Sequence, residues 1–213
     1  MKILIASDIF GKTPELEDLV AQLSANAINT VIVDPYEGKY LNFKNEDEAY
    51  SYFRQKVGIE RYKEMVYEAT SDIKRDLLLI GFSVGASAIW AISDKFGART
   101  NARAICFYGS QIRNFMDVNP AICMELIFPK QEPHFNVGNL IAQISLKKNV
   151  TCKTALYLHG FMNKRSANFN KSAFESYLSI INEKLAYHFA SPDSGHSAAS
   201  NGQQSVKLQG RMK

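Results

Sequence analysis

The sequence predicts a single-domain α/β protein built on a doubly wound, mostly parallel sheet. Three observations carry that prediction. Short apolar runs recur along the chain and are continuous rather than alternating, as in strands buried on both faces. Stretches with helical spacing separate them, which is the order of a parallel sheet with crossover helices. Neither an internal repeat nor a linker divides the chain.

The elements follow in order. Ile3 to Ala6 reads as the first strand. Pro14 to Asn26 spaces Leu16, Leu19, Val20 and Leu23 as one helical face, with Thr13 as N-cap and Pro14 at the first helical position. Thr30 to Val33 is the second strand, ended by Asp34-Pro35-Tyr36. Asn45 to Ser71 is helical in composition with a break expected at Gly58. Leu77 to Ile80 is a strand, Ala86 to Lys95 a helix, and Ala104 to Tyr108 a strand. Ile122 to Phe128 is the next strand, Val137 to Lys147 a helix, Thr154 to Leu158 the last strand and Ser172 to Leu185 the last helix. Beyond it periodicity is lost, so residues 1–187 are expected as the domain and 188–213, rich in Ser, Gly, Asn and Gln, as a flexible tail.

Composition excludes several classes. A length of 213 residues suits one domain with a good core, and 46% hydrophobic with 22% charged residues is ordinary for a soluble protein. The net charge of +4 owes much to Lys207, Arg211 and Lys213; with no long basic block, neither nucleic acid nor membrane is expected as a partner. The opening Met1-Lys2-Ile3-Leu4-Ile5-Ala6 is too short an apolar run for a signal peptide. Cys106, Cys123 and Cys152 are odd in number and lack metal-site spacing, so they read as buried thiols, and a cytoplasmic location follows as the expectation.

The chemistry concentrates at Gly81-Phe82-Ser83-Val84-Gly85, directly after Leu77 to Ile80. A tight strand-to-helix turn lifts a serine hydroxyl out of the chain, small flanking residues avoid collision with the adjoining strand and helix, and the helix start offers backbone N–H groups to a developing oxyanion. A nucleophilic serine needs a base, and the base an orienting acid. Among His134, His159, His188 and His196, the favoured base is His159, which heads the loop after Thr154 to Leu158; His196, amid Ser194-Gly195-His196-Ser197, is its competitor. The acid belongs after Ile122 to Phe128, where Glu132 is the one carboxylate; Asp117, before that strand, is the alternative. The oxyanion donors are expected to be the backbone amides of Ile9, in the loop after the first strand, and Val84. Lys164 and Arg165, just past His159, are either solvated surface charges or contacts for a substrate carboxylate.

Four segments resemble the dienelactone hydrolase family of α/β-hydrolases: Ser7-Asp8-Ile9-Phe10-Gly11, Val33-Asp34-Pro35-Tyr36, Gly81-Phe82-Ser83-Val84-Gly85 and His159-Gly160-Phe161-Met162-Asn163. The resemblance runs from about Lys2 to Leu185. It implies a minimal α/β-hydrolase fold without a large cap, Ser83 as nucleophile, His159 as base, Glu132 at the position of the family's aspartate, and Ile9 and Val84 as oxyanion donors. Asp8 falls where the family often has a glutamate near the nucleophile. Serine at the elbow suits general esterase chemistry. The expected activity is hydrolysis of small esters or lactones through an acyl-enzyme, with no metal or organic cofactor.

Two rival readings belong to other classes. One is a nucleotide- or flavin-binding module, prompted by Gly11-Lys12-Thr13, although a phosphate-binding loop needs another glycine where Ala6 stands. The other is a hydrolase fold without activity that binds partners.

Overall fold

The computed structural model describes residues 2–23, 29–73, 76–97 and 101–189. Six strands form one sheet: β1 (Lys2–Ala6), β2 (Asn29–Val33), β3 (Leu77–Phe82), β4 (Ala102–Phe107), β5 (Cys123–Phe128) and β6 (Val150–Thr154). Their spatial order is β2-β1-β3-β4-β5-β6, and each pairing is parallel. The helices are α1 (Pro14–Leu23), α2 (Glu46–Lys56), α3 (Gly58–Thr70), α4 (Val84–Ile92), α5 (Val137–Ile144) and α6 (Lys171–Phe189).

The apolar runs partition by strand period. Ile3, Ile5, Leu78, Ile80, Ile105 and Phe107 face one side and pack with Leu19 and Leu23 of α1 and Ala173, Phe174 and Ile181 of α6. Leu4, Ala6, Leu77, Leu79, Ala104 and Cys106 face the other, against α2, α3, α4 and α5. All six residues of β3 are buried, as its central place requires. Thr13 Oγ1 accepts from the Leu16 amide at 3.2 Å, so the expected N-cap forms. The long helical stretch breaks between α2 and α3 as expected, and α6 runs past Leu185 to Phe189. The remainder of the expected tail, with His196, lies outside the described residues.

Two expectations need correction. The last strand is Val150–Thr154, not Thr154 to Leu158. It is the edge of the sheet and half exposed, so alternating Val, Thr and Cys suffice to form it. The apolar run after it crosses the strand ends as a loop, burying Ala155 while Leu156 is 83% exposed. The three thiols are also not alike. Cys106 is buried and its pKa pushed up by burial; Cys152 is half-buried and pushed up to about 11 by the same cause; Cys123, the first residue of β5, is exposed.

The carboxyl ends of β1 and β2 are pinned from α3. Tyr62, fully buried, donates its hydroxyl toward the carbonyls of Ser7 (3.0 Å) and Val33 (2.8 Å), fixing the point where the chain leaves β1.

Candidate active site

Ser83 occupies the bend between β3 and α4 with φ 51° and ψ −113°, a conformation that costs a non-glycine residue about 1–3 kcal/mol. The surroundings enforce it. The Ser83 amide donates to the Phe107 carbonyl of β4 (3.0 Å), and the Ser83 carbonyl accepts from the Ser87 amide (3.1 Å) as the helix begins. A Cβ on Gly81 would lie 2.6 Å from Ala86 Cα, and one on Gly85 2.3 Å from the Ala6 carbonyl oxygen and 2.4 Å from that of Ser7. The flanking glycines are therefore the condition for strand, bend and helix to approach this closely.

Three residues distant in sequence meet at this bend. Ser83 Oγ is 2.9 Å from His159 Nε2, and His159 Nδ1 is 2.7 Å from Glu132 Oε1. Glu132 stands in a tight turn after β5, closed by a bridge to Phe135; its side chain is 6% exposed against 31% for His159. The chain reaches His159 along the loop after β6, tied to the β5 end by Lys130 N–H donating to the Tyr157 carbonyl (2.8 Å). Asn168 Nδ2 donates to the His159 carbonyl (2.9 Å). One carboxylate oxygen thus faces one ring nitrogen while the other ring nitrogen faces the hydroxyl, the relay that proton removal from serine requires.

Ile9 and Val84 line the same cleft, of about 570 Å³, as Ser83, His159 and Glu132. Val84 is the first residue of α4, where an amide has no acceptor within its helix. The Ile9–Phe10 peptide, next to the unit that carries the Ile9 N–H, is held from both sides. Tyr36 Oη donates to its carbonyl at 2.6 Å, and Asp8 Oδ1 accepts from the Phe10 amide at 2.9 Å. Asp8 Oδ2 accepts from Asn163 Nδ2, so the loop after β1 is fastened to the loop that carries His159.

Two other candidates lie elsewhere, whereas His134 lines the cleft. Lys164 lies 3.7 Å from Asp18 and over the Phe174 ring, while Arg165 donates to the Phe43 carbonyl (2.7 Å) and stacks over Phe10; neither lines the cleft. Among the described residues, the Lys or Arg that does is Arg113, from the 3-10 helix Ser110–Asn114 after β4, with its guanidinium 5.0 Å from the Phe135 ring centroid. Tyr108 also lines it, its ring centroid 4.9 Å from that of His159. Sequence reasoning missed Arg113 and Tyr108 and gave Asn163 no role. Position was the available signal for the first two, since both follow β4 at the sheet end where ligands bind. Among the described residues no group of His, Cys, Asp and Glu is arranged to hold a metal ion.

Burial raises the Asp8 pKa above the ordinary carboxylate range, opposed by the hydrogen bonds from Phe10 and Asn163 and by the nearby His159. A carboxyl raised in the folded state contributes most to stability below its unfolded pKa and loses that contribution as pH rises through the folded value. Wild type should therefore lose stability relative to Asp8→Asn as pH rises from about 4 toward neutrality. Paired thermal melts across that range measure it; a pH-independent gap would remove the linkage.

No protein-family model matches the chain. Its sequence is similar to that of the uncharacterized protein YczH of Bacillus subtilis (strain 168), 32% identical over an alignment of 152 residues that covers 66% of this chain and 74% of YczH. The chain belongs to the YczH family. The solved structures it resembles place this YczH-family chain in the α/β-hydrolase fold. They include mouse alpha/beta hydrolase domain-containing protein 10 (7% identity, 88% of this chain and 90% of that one, TM-score 0.60). The dienelactone hydrolase-like promiscuous phosphotriesterase P91 from metagenomic libraries is similar over 85% of each chain (10% identity, TM-score 0.59). The methylesterase protein MES16 from Arabidopsis is similar over 88% of this chain and 99% of its own (11% identity, TM-score 0.52). No helix among the described residues is long and apolar enough to cross a membrane.

Proposed function

We propose that the chain is a serine hydrolase of small ester or lactone substrates, of the dienelactone hydrolase type, with Ser83, Glu132 and His159 as its catalytic triad. The observation that carries the reading is the unbroken contact from Ser83 Oγ through both nitrogens of His159 to Glu132 Oε1 at 2.9 and 2.7 Å. The descriptions of P91 and MES16 as hydrolase-like and methylesterase proteins lend support at the level of the fold.

In this mechanism the imidazole takes the hydroxyl proton as Ser83 attacks the carbonyl carbon. Glu132 stabilises the imidazolium so formed. The oxyanion is received by the amides of Ile9 and Val84, which are fixed before the substrate arrives and need not reorganise as charge develops. His159 then returns the proton to the leaving alcohol. The acyl-enzyme is cleared by water that His159 deprotonates in turn.

The test is turnover of p-nitrophenyl acetate and butyrate and of a small lactone, together with covalent labelling by a fluorophosphonate probe. A folded chain that neither hydrolyses any of these nor takes up the probe sinks the reading. The geometry makes a finer prediction for Glu132. Glu132→Asp withdraws the carboxylate by about one methylene, and misplacement by about 1 Å costs roughly 100-fold in rate. Steady-state kcat of that variant against wild type measures it.

A further inference from the structure

The segment after β4 forms part of the cleft wall, and α4 holds it at two points. The Gln111 amide donates to Ser87 Oγ at 3.2 Å, and the same hydroxyl donates to the Ser83 carbonyl at 3.1 Å. Further on, Trp90 Nε1 donates to the Phe115 carbonyl at 2.9 Å. Between these ties Ile112 is fully buried. The 3-10 helix Ser110–Asn114 is thereby fixed relative to the bend that carries Ser83.

The turn that carries Glu132 stands further out. Pro133 and His134 are exposed, and a backbone bridge from Glu132 to Phe135 closes the turn. Its anchor is Phe135, which is partly buried and packs against the core that contains Ile112 and Phe128. Arg113 reaches this anchor. Its Nη1 donates to the Ser110 carbonyl, which holds the guanidinium against its own turn, and the guanidinium lies 5.0 Å from the Phe135 ring centroid. A guanidinium over an aromatic face is attracted by it, and its planar fork has little freedom left once one donor is fixed. Contacts thus run from the Ser83 carbonyl through Ser87, Gln111, Arg113 and Phe135 to Glu132 without passing through His159.

We propose that this run of contacts is a strut and that Arg113 is a positioning residue for Glu132: through Phe135 it sets the distance of the carboxylate from His159 Nδ1. The imidazole spans contacts of 2.9 Å to Ser83 and 2.7 Å to Glu132, so the relay needs hydroxyl and carboxylate at one separation. Misplacement by about 1 Å costs roughly 100-fold in rate. The strut supplies that separation from a helix that already holds the serine. Its kinetic consequences rest on the hydrolase reading; its effect on the turn does not.

The test compares Arg113→Met, which keeps an unbranched side chain and removes the guanidinium, with Arg113→Lys, whose ammonium also sits over an aromatic face and donates to a carbonyl. The substrate is p-nitrophenyl butyrate, which is neutral, so that contact between Arg113 and a charged substrate group does not enter. Arg113→Met should lower kcat roughly tenfold at unchanged KM, and Arg113→Lys should recover part of the loss. In Glu132→Ala no carboxylate remains to be placed, so adding Arg113→Met should leave the residual kcat unchanged. A crystal structure of Arg113→Met should show the turn of residues 132–135 displaced and the 2.7 Å contact between Glu132 and His159 lengthened. A kcat equal to wild type's, a loss confined to KM, no recovery in Arg113→Lys, a further loss of the same size in the Glu132→Ala background, or an undisplaced turn overturns the proposal. The crystallographic arm needs no turnover, so its failure is distinct from failure of the hydrolase reading, which shows as a wild type that neither hydrolyses esters nor takes up the probe.

Discussion

Ser83→Ala is expected to reduce kcat on p-nitrophenyl esters by roughly 10⁴-fold or more and to abolish fluorophosphonate labelling, while leaving the fold intact. In the proposed mechanism the effect is large because the three residues would act as a unit: without the hydroxyl, His159 and Glu132 would have no proton to move and no covalent intermediate would form. Stability should hold, since apart from the Oγ contact with His159 Ser83 engages its neighbours through its backbone. Its amide donates to Phe107 and its carbonyl accepts from Ser87. Alanine is as strained as serine at φ 51° and adds no bulk. A small drop in rate with labelling retained at another residue would show that the hydroxyl is not the nucleophile.

Gly85→Ala is expected to be the most damaging single-methyl substitution in the site. The new Cβ would lie 2.3 Å from the Ala6 carbonyl oxygen and 2.4 Å from that of Ser7. Both atoms are backbone, at the end of an inner strand pinned by Tyr62 and paired on each side to β2 and β3, so no rotamer change relieves the contact. Either α4 moves away from β1 or the end of the strand distorts. We expect a loss of roughly 4 kcal/mol or more, among the largest of single substitutions. A displaced Val84 amide should accompany it in whatever folded protein remains. Denaturant midpoints of wild type and variant measure the first effect and kcat the second. A midpoint within experimental scatter of wild type would mean that the helix start is far more yielding than its contacts imply.

Much of this site was legible in the sequence because its parts obey local rules. The bend at Ser83 is announced by small residues at both flanks and an apolar run before it. The histidine and the glutamate follow from chain order and from the rule that sites gather at strand carboxyl ends. The errors have physical causes. The last strand was misplaced because an edge strand needs no continuous apolar run, whereas Ala155 to Leu158, which has one, crosses the sheet end as a loop. Tyr108 and the Asp8–Asn163 hydrogen bond were invisible for a different reason. They depend on which loops touch in space, and Asp8 and Asn163 meet across 155 positions of sequence. Arg165 and Lys164, adjacent to the histidine in sequence, turn away to Phe43 and Asp18. Arg113, remote from it in sequence, lines the cleft instead.

The parallel sheet gives the two proposed partners of proton transfer unequal footing. Ser83 rises from β3, which is flanked on both sides, whereas His159 hangs from the loop after β6, the outermost ribbon, paired to β5 alone. Border segments fray at lower free energy than the middle of a sheet. Warming should therefore detach the imidazole before the domain melts, so that heat inactivation sets in reversibly below the global transition.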